Sequence, residues 1–80
     1  MKISPTMKNV LEAIIERTTI TKGKNKGTIK KRIIGNEYNK NVLYALLERE
    51  LIDYAFEMVS GTGYAATKKG IELIDNMKGK

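Results

Sequence analysis

Between Leu51 and Val59 the apolar residues stop recurring every three or four positions and begin to alternate. Tyr54, Phe56 and Met58 fall on one side and Ala55, Glu57 and Val59 on the other, which is the pattern of a β-strand. Ser60-Gly61-Thr62-Gly63 supplies a turn and Tyr64-Ala65-Ala66 a returning strand, so a hairpin is expected. On both sides of it the pattern is helical. With 80 residues there is room for a single modest core, so one domain spanning 1–80 is expected. The fold class is mainly α with a small β-hairpin (α+β).

The helical parts are read from spacing and caps. Ser4-Pro5-Thr6 is a helix start: serine can accept from a free first-turn amide, and proline suits the first helical position. Met7, Val10, Leu11, Ile14 and Ile15 then give an amphipathic helix of about three turns. The β-branched run Thr18-Thr19-Ile20-Thr21 ends it and suits a short strand. A basic loop, Lys22-Gly23-Lys24-Asn25-Lys26-Gly27, follows. Thr28 is placed to cap a short helix with Ile29, Ile33 and Ile34 inward and Lys30, Lys31 and Arg32 outward, stopped by Gly35-Asn36. The next helix is expected over residues 37–49. Its apolar face is Tyr38, Val42, Leu43, Leu46 and Leu47; its polar face is Glu37, Lys40, Asn41, Tyr44, Ala45 and Glu48. Asn39 falls in the apolar sector as a defect. After the hairpin, Thr67 caps a last helix carrying Ile71, Leu73, Ile74 and Met77. The expected order is helix, short strand, helix, helix, hairpin, helix.

Charge is the second constraint. The chain carries 15 basic and 9 acidic side chains, a formal +6. Between Ile20 and Asn41 stand seven basic residues, Lys22, Lys24, Lys26, Lys30, Lys31, Arg32 and Lys40, and one acid, Glu37. The whole excess therefore lies in this window, and the rest of the chain is balanced. A segregated positive surface attracts polyanions, of which nucleic acid is the commonest in cells. The alternative is a solvated lysine-rich loop that only aids solubility, and charge alone does not choose between the two.

Absent residue types narrow the chemistry. Without cysteine or histidine there is no disulfide framework, no thiol or imidazole chemistry and no usual zinc site. No metal, cofactor or enzymatic activity is expected. The longest apolar run, Val42 to Leu47, is too short to span a membrane, and residues 1–9 lack a signal-peptide apolar stretch. A soluble cytoplasmic domain is expected.

Several residues in this order carry a family resemblance. They are Ile33-Ile34-Gly35, Leu43-x-x-Leu46, Leu51-Ile52 before the hairpin, and Tyr64-x-x-Thr67-x-x-Gly70 leading into the last helix. The stretch from Thr28 to Gly70 resembles the winged-helix variant of the helix-turn-helix, as in MarR- and PadR-type transcriptional regulators. It departs in two places: Glu50 stands where the family often has glycine, and the loop before Thr28 is unusually long and basic. The resemblance implies a domain that binds double-stranded DNA and regulates transcription, nucleoid-associated when bound.

On that footing the helix over residues 37–49 enters the major groove. Lys40, Asn41 and Tyr44 then face base edges, where lysine suits guanine acceptors and asparagine can pair with adenine. Lys22, Lys24, Lys26, Thr28, Lys30, Lys31 and Arg32 are expected at the flanking phosphates. Ser60 and Thr62, at the hairpin tip, are implied as a weak wing contact, since the tip has no cation. Tyr38, Tyr54 and Tyr64 are read as core or edge packing. A homodimer is compatible with the layout, as is an RNA or single-strand partner. From a different class comes a protein-interaction winged helix that recruits replication or transcription machinery without touching duplex.

Three other signals are set aside. Gly61-Thr62-Gly63-Tyr64-Ala65-Ala66 matches GxGxxA, but no acidic residue follows at the distance a dinucleotide site needs. The glycine spacing of residues 23–28 is wrong for a phosphate loop. Glu12 with Glu16, and Glu48 with Glu50, are carboxylate pairs on surfaces, with no cleft implied.

Overall fold

The computed structural model describes residues 2–34, 37–58 and 61–78. Its elements run α1 (Pro5–Thr18), β1 (Ile33–Ile34), α2 (Lys40–Glu48), β2 (Ile52–Met58), β3 (Gly61–Ala66) and α3 (Lys68–Lys78). The protein is thus a small α+β domain with three helices and an antiparallel hairpin. β1 adds to the hairpin on the far side of β3, so the sheet order is β1-β3-β2, antiparallel throughout.

α1 starts as its sequence dictates. The Met7 N–H donates to Ser4 Oγ at 3.1 Å, and Pro5 opens the first turn. Met7, Leu11, Ile14, Ile15 and Thr18 form its buried face. At its end Thr18 and Thr19, both buried, turn their hydroxyls back to Ile14 O (2.6 Å) and Ile15 O (2.7 Å). Each buried hydroxyl is thereby satisfied locally.

The short helix expected from Thr28 does not form. Thr28 to Arg32 is not helical, Thr19 bridges Ile29, and Ile33 and Ile34 pair with Tyr64 and Gly63. The reason is competition. A helix of this length carries the full nucleation cost for few hydrogen bonds, and Ile29, Ile33 and Ile34 are β-branched. The alternative offers ready partners: the Lys30 N–H donates to Thr18 O (2.8 Å), and β3 lies open to β1. The architecture is therefore helix, strand, helix, hairpin, helix, one helix fewer than expected. The short strand expected at residues 18–21 shrinks to the single Thr19 bridge. The stop signal at Gly35-Asn36 lies outside the described residues.

α2 begins at Lys40, later than expected, because Asn39 is its cap: Asn39 Oδ1 accepts from the Asn41 N–H at 2.8 Å. The apparent defect in the apolar face is thus the start of the helix. At the other end the Glu50 N–H donates to Leu47 O (3.0 Å) and the Leu51 N–H to Leu46 O (3.0 Å), a Schellman motif. Leu46 and Leu51, which this motif brings together, are fully buried. The motif needs a left-handed residue, and Glu50 takes it, at φ 62°. The departure from glycine noted in the sequence is therefore a strained position.

α3 docks by close approach. Thr67 Oγ1 donates to Glu50 O (2.7 Å) and accepts from the Gly70 N–H (3.0 Å), while the Thr67 N–H donates to Leu51 O (3.1 Å). A Cβ on Gly70 would stand 2.2 Å from Leu51 O, so only glycine fits. Ile71 and Ile74 then join Leu11, Ile14, Leu43, Leu46, Leu51, Ile52 and Ala66 in one core. Leu73 packs at its margin, and Met77 is exposed.

Two substitutions test this frame. Gly70→Ala should cost about 2–3 kcal/mol through overpacking against backbone, lowering the urea midpoint. Glu50→Gly should instead raise stability by about 1 kcal/mol, by relieving the left-handed strain.

Candidate nucleic-acid interface

α2 presents the side chains expected to face base edges. Leu43 and Leu46 fix the helix to the core, and Lys40, Asn41, Tyr44 and Glu48 are left on the exposed side. Tyr44 is 56% exposed, an unusual degree for so apolar a ring. Ala45 and Val42 flank this face half-buried. The free amides of the first turn, beside Lys40, give this end of α2 a partial positive charge.

The entry to α2 is held by a contact that spacing alone does not disclose. The Arg17 guanidinium donates from Nη1 to Glu37 Oε1 (2.5 Å) and from Nη2 to Glu37 Oε2 (3.1 Å), a two-point pairing. Nη1 also donates to Tyr38 Oη (3.1 Å). The last turn of α1 is thus joined to the chain just before α2. The hydrogen bonds from Arg17 hold the Glu37 carboxyl below its ordinary range, with Lys31 adding to the effect. The guanidinium is held in its charged form by the same bonds. The single acid of the basic window is therefore engaged. In sequence, Arg17 is only another charge on the polar side of α1. The one hint was a lone acid among seven bases.

The basic residues themselves divide. Because no helix forms from Thr28 to Arg32, Lys30, Lys31 and Arg32 do not make the outward helical face expected of them. Lys30 and Lys31 are exposed. Arg32 is half-buried, lies against Gly63 and donates to Asp53 Oδ1 at 2.9 Å. Thr28 caps no helix; its backbone closes the loop before it, accepting from Ile20 N–H (3.0 Å). In that loop Lys22, Lys24 and Lys26 are exposed, and Lys26 Nζ donates to Asp75 Oδ2 of α3 at 2.6 Å. Lys22, Lys24, Lys30, Lys31 and Lys40 have no ion pair among the described residues.

The wing positions are less informative. Ser60 lies outside the described residues; Thr62 is in β3, but its side chain lies outside them. The orientations expected for Phe56 and Met58 fall there too. Tyr64 is half-buried against the core, with the more exposed Tyr54 beside it at 6.3 Å between ring centres. The two rings thus pack against one another at the sheet, with Tyr64 toward the core. Tyr38 is half-buried and engaged by Arg17.

Among the described residues no helix is long and apolar enough to cross a membrane, and no acidic cluster is arranged to hold a metal ion.

The Arg17–Glu37 pair gives a pH prediction. A depressed carboxyl contributes stability above its ordinary range and loses it as the solution is acidified through the folded-state value. Glu37→Gln should therefore flatten the acid limb of a plot of urea midpoint against pH, while leaving the neutral-to-alkaline slope unchanged.

No family model, no curated protein and no solved structure matches this chain.

Proposed function

We propose that this protein is a small winged-helix domain that binds double-stranded DNA, with α2 as the reading helix, and acts as a transcriptional regulator in the cytoplasm. Three helices around an antiparallel hairpin are compatible with that fold. The observation that carries the reading is electrostatic. All excess charge lies between Ile20 and Asn41, and five of its lysines, Lys22, Lys24, Lys30, Lys31 and Lys40, have no ion pair among the described residues. Cations without an ion pair, one of them on the exposed face of α2, suit a polyanion whose edges also offer hydrogen bonds.

In this reading the phosphates are met by Lys30, Lys31 and the loop lysines, and the start of α2 adds its amides. Asn41 is placed for the two-point contact that an adenine edge offers, Lys40 for guanine acceptors, and Tyr44 for a thymine methyl or a hydrogen bond. Arg32 and Lys26 take a lesser part, since Asp53 and Asp75 already occupy them. The orientation of α2 comes from Leu43 and Leu46 beneath it and from the Arg17–Glu37 clamp at its entry, in place of a preceding helix.

Fluorescence polarisation with a labelled random duplex tests this directly. Binding should be detectable at low salt and fall with log salt at a slope of about −4, from roughly 0.9 for each of four to five phosphate contacts. Absence of binding at micromolar protein overturns the proposal. In a selection from a random duplex pool, Asn41→Ala should relax preference at one position by about 1–3 kcal/mol.

A further inference from the structure

The geometry points to the hairpin-like segment Thr19–Ile29, rather than the β2–β3 hairpin, as the arm that grips the phosphate backbone beside α2; the inference rests on the duplex-binding reading above. Its base is built into the domain. Thr19 bridges Ile29, the Ile20 N–H donates to Thr28 O (3.0 Å), the Gly27 N–H donates to Ile20 O (2.8 Å), and the Lys30 N–H donates to buried Thr18. Its tip is closed by Lys26 N–H to Gly23 O (3.2 Å) and Thr28 N–H to Asn25 O (3.0 Å). Gly23 and Gly27 take the left-handed turns, at φ 85° and 93°, and a Cβ on either would meet nothing within 4 Å. Space is therefore open beside both glycines, the base is fixed, and Lys26 holds one side of the tip to α3 through Asp75. Lysines carried by an ordered arm lose less freedom on binding than lysines on a free coil.

The other hairpin lacks these means. β2 contributes Asp53 and Glu57, and residues 59–62 contain no cation. Position also favours the basic arm. It leaves the C-terminal end of α1, and the Arg17–Glu37 pairing brings the entry of α2 to that same end. Along the chain Lys30 and Lys31 stand between the arm and α2. On its inner side the arm meets acids: Lys26 pairs with Asp75, and Lys22 and Lys26 border the α1–α3 groove with Glu12 and Glu16. Asp75 therefore competes with phosphate for Lys26, and removing its charge frees a cation.

Polarisation titrations against labelled random duplex over a range of salt separate the possibilities. Lys22→Gln/Lys24→Gln should weaken binding about tenfold or more at low salt and make the log–log slope shallower by about 1.8. Lys2→Gln/Lys8→Gln removes the same charge at the other end of α1, with Lys8 about 15 Å from Thr18 along the helix, and should change affinity far less. Ser60→Ala/Thr62→Ala should leave binding within about twofold, whereas Asp75→Asn should tighten it and steepen the slope by up to about 0.9. Equal losses in the two lysine pairs, or a loss confined to the Ser60/Thr62 variant, overturn the assignment while leaving duplex binding intact. Unchanged binding by Asp75→Asn overturns the competition at Lys26. A parent protein that does not bind duplex overturns the assignment together with the reading beneath it.

Discussion

The domain depends on what happens at Thr18. Its hydroxyl donates to Ile14 O and accepts from the Ala66 N–H (3.3 Å), while its carbonyl accepts from the Lys30 N–H. One fully buried residue thus joins α1, the end of β3 and the base of the basic arm. Each bond satisfies a group that burial would otherwise leave costly. Thr19 continues the junction through Ile29, and Arg17, one residue earlier, reaches Glu37. Everything proposed to meet a ligand is hung from this single turn of helix. A valine at Thr18 would keep the volume and lose the acceptor that Ala66 uses.

Much of this was legible residue by residue. Ser4, Thr67 and the apolar rows of α1 and α3, Met77 apart, did as their spacing implies, because caps and periodic faces are local properties. Two irregularities proved to be structural signals: Asn39 is a cap, and Glu50 holds a left-handed turn where glycine would be relaxed. The segment Thr28–Ile34 was not legible. Its isoleucines at 29, 33 and 34 fit a helical face and a strand equally, so the decision fell to partners far away in sequence, Thr18 and Tyr64. The exposed face of α2 followed from its period. The partition of the cations did not, since Lys26–Asp75 and Arg32–Asp53 join residues with no shared local pattern.

That partition changes the meaning of the net charge. Counted along the chain, the window Ile20–Asn41 is basic but for Glu37. In three dimensions it has a free part and a part already neutralised by acids from β2 and α3. Exposed pairs of this kind contribute little to stability, so their larger effect is on what remains available to an outside anion. Acidic residues in an otherwise balanced scaffold can thus set the strength of a basic surface without belonging to it.

The strand order carries a consequence for how the domain assembles. β3, late in the chain, lies in the middle of the sheet, and Ile33 must wait for Tyr64 before β1 exists as a strand. The closure spans α2 and β2, so its entropy cost is met only when those elements are already placed. Neither half of the chain can complete the sheet alone. Folding of the two halves is therefore coupled, and β1 takes its place in the sheet only in the fully assembled domain.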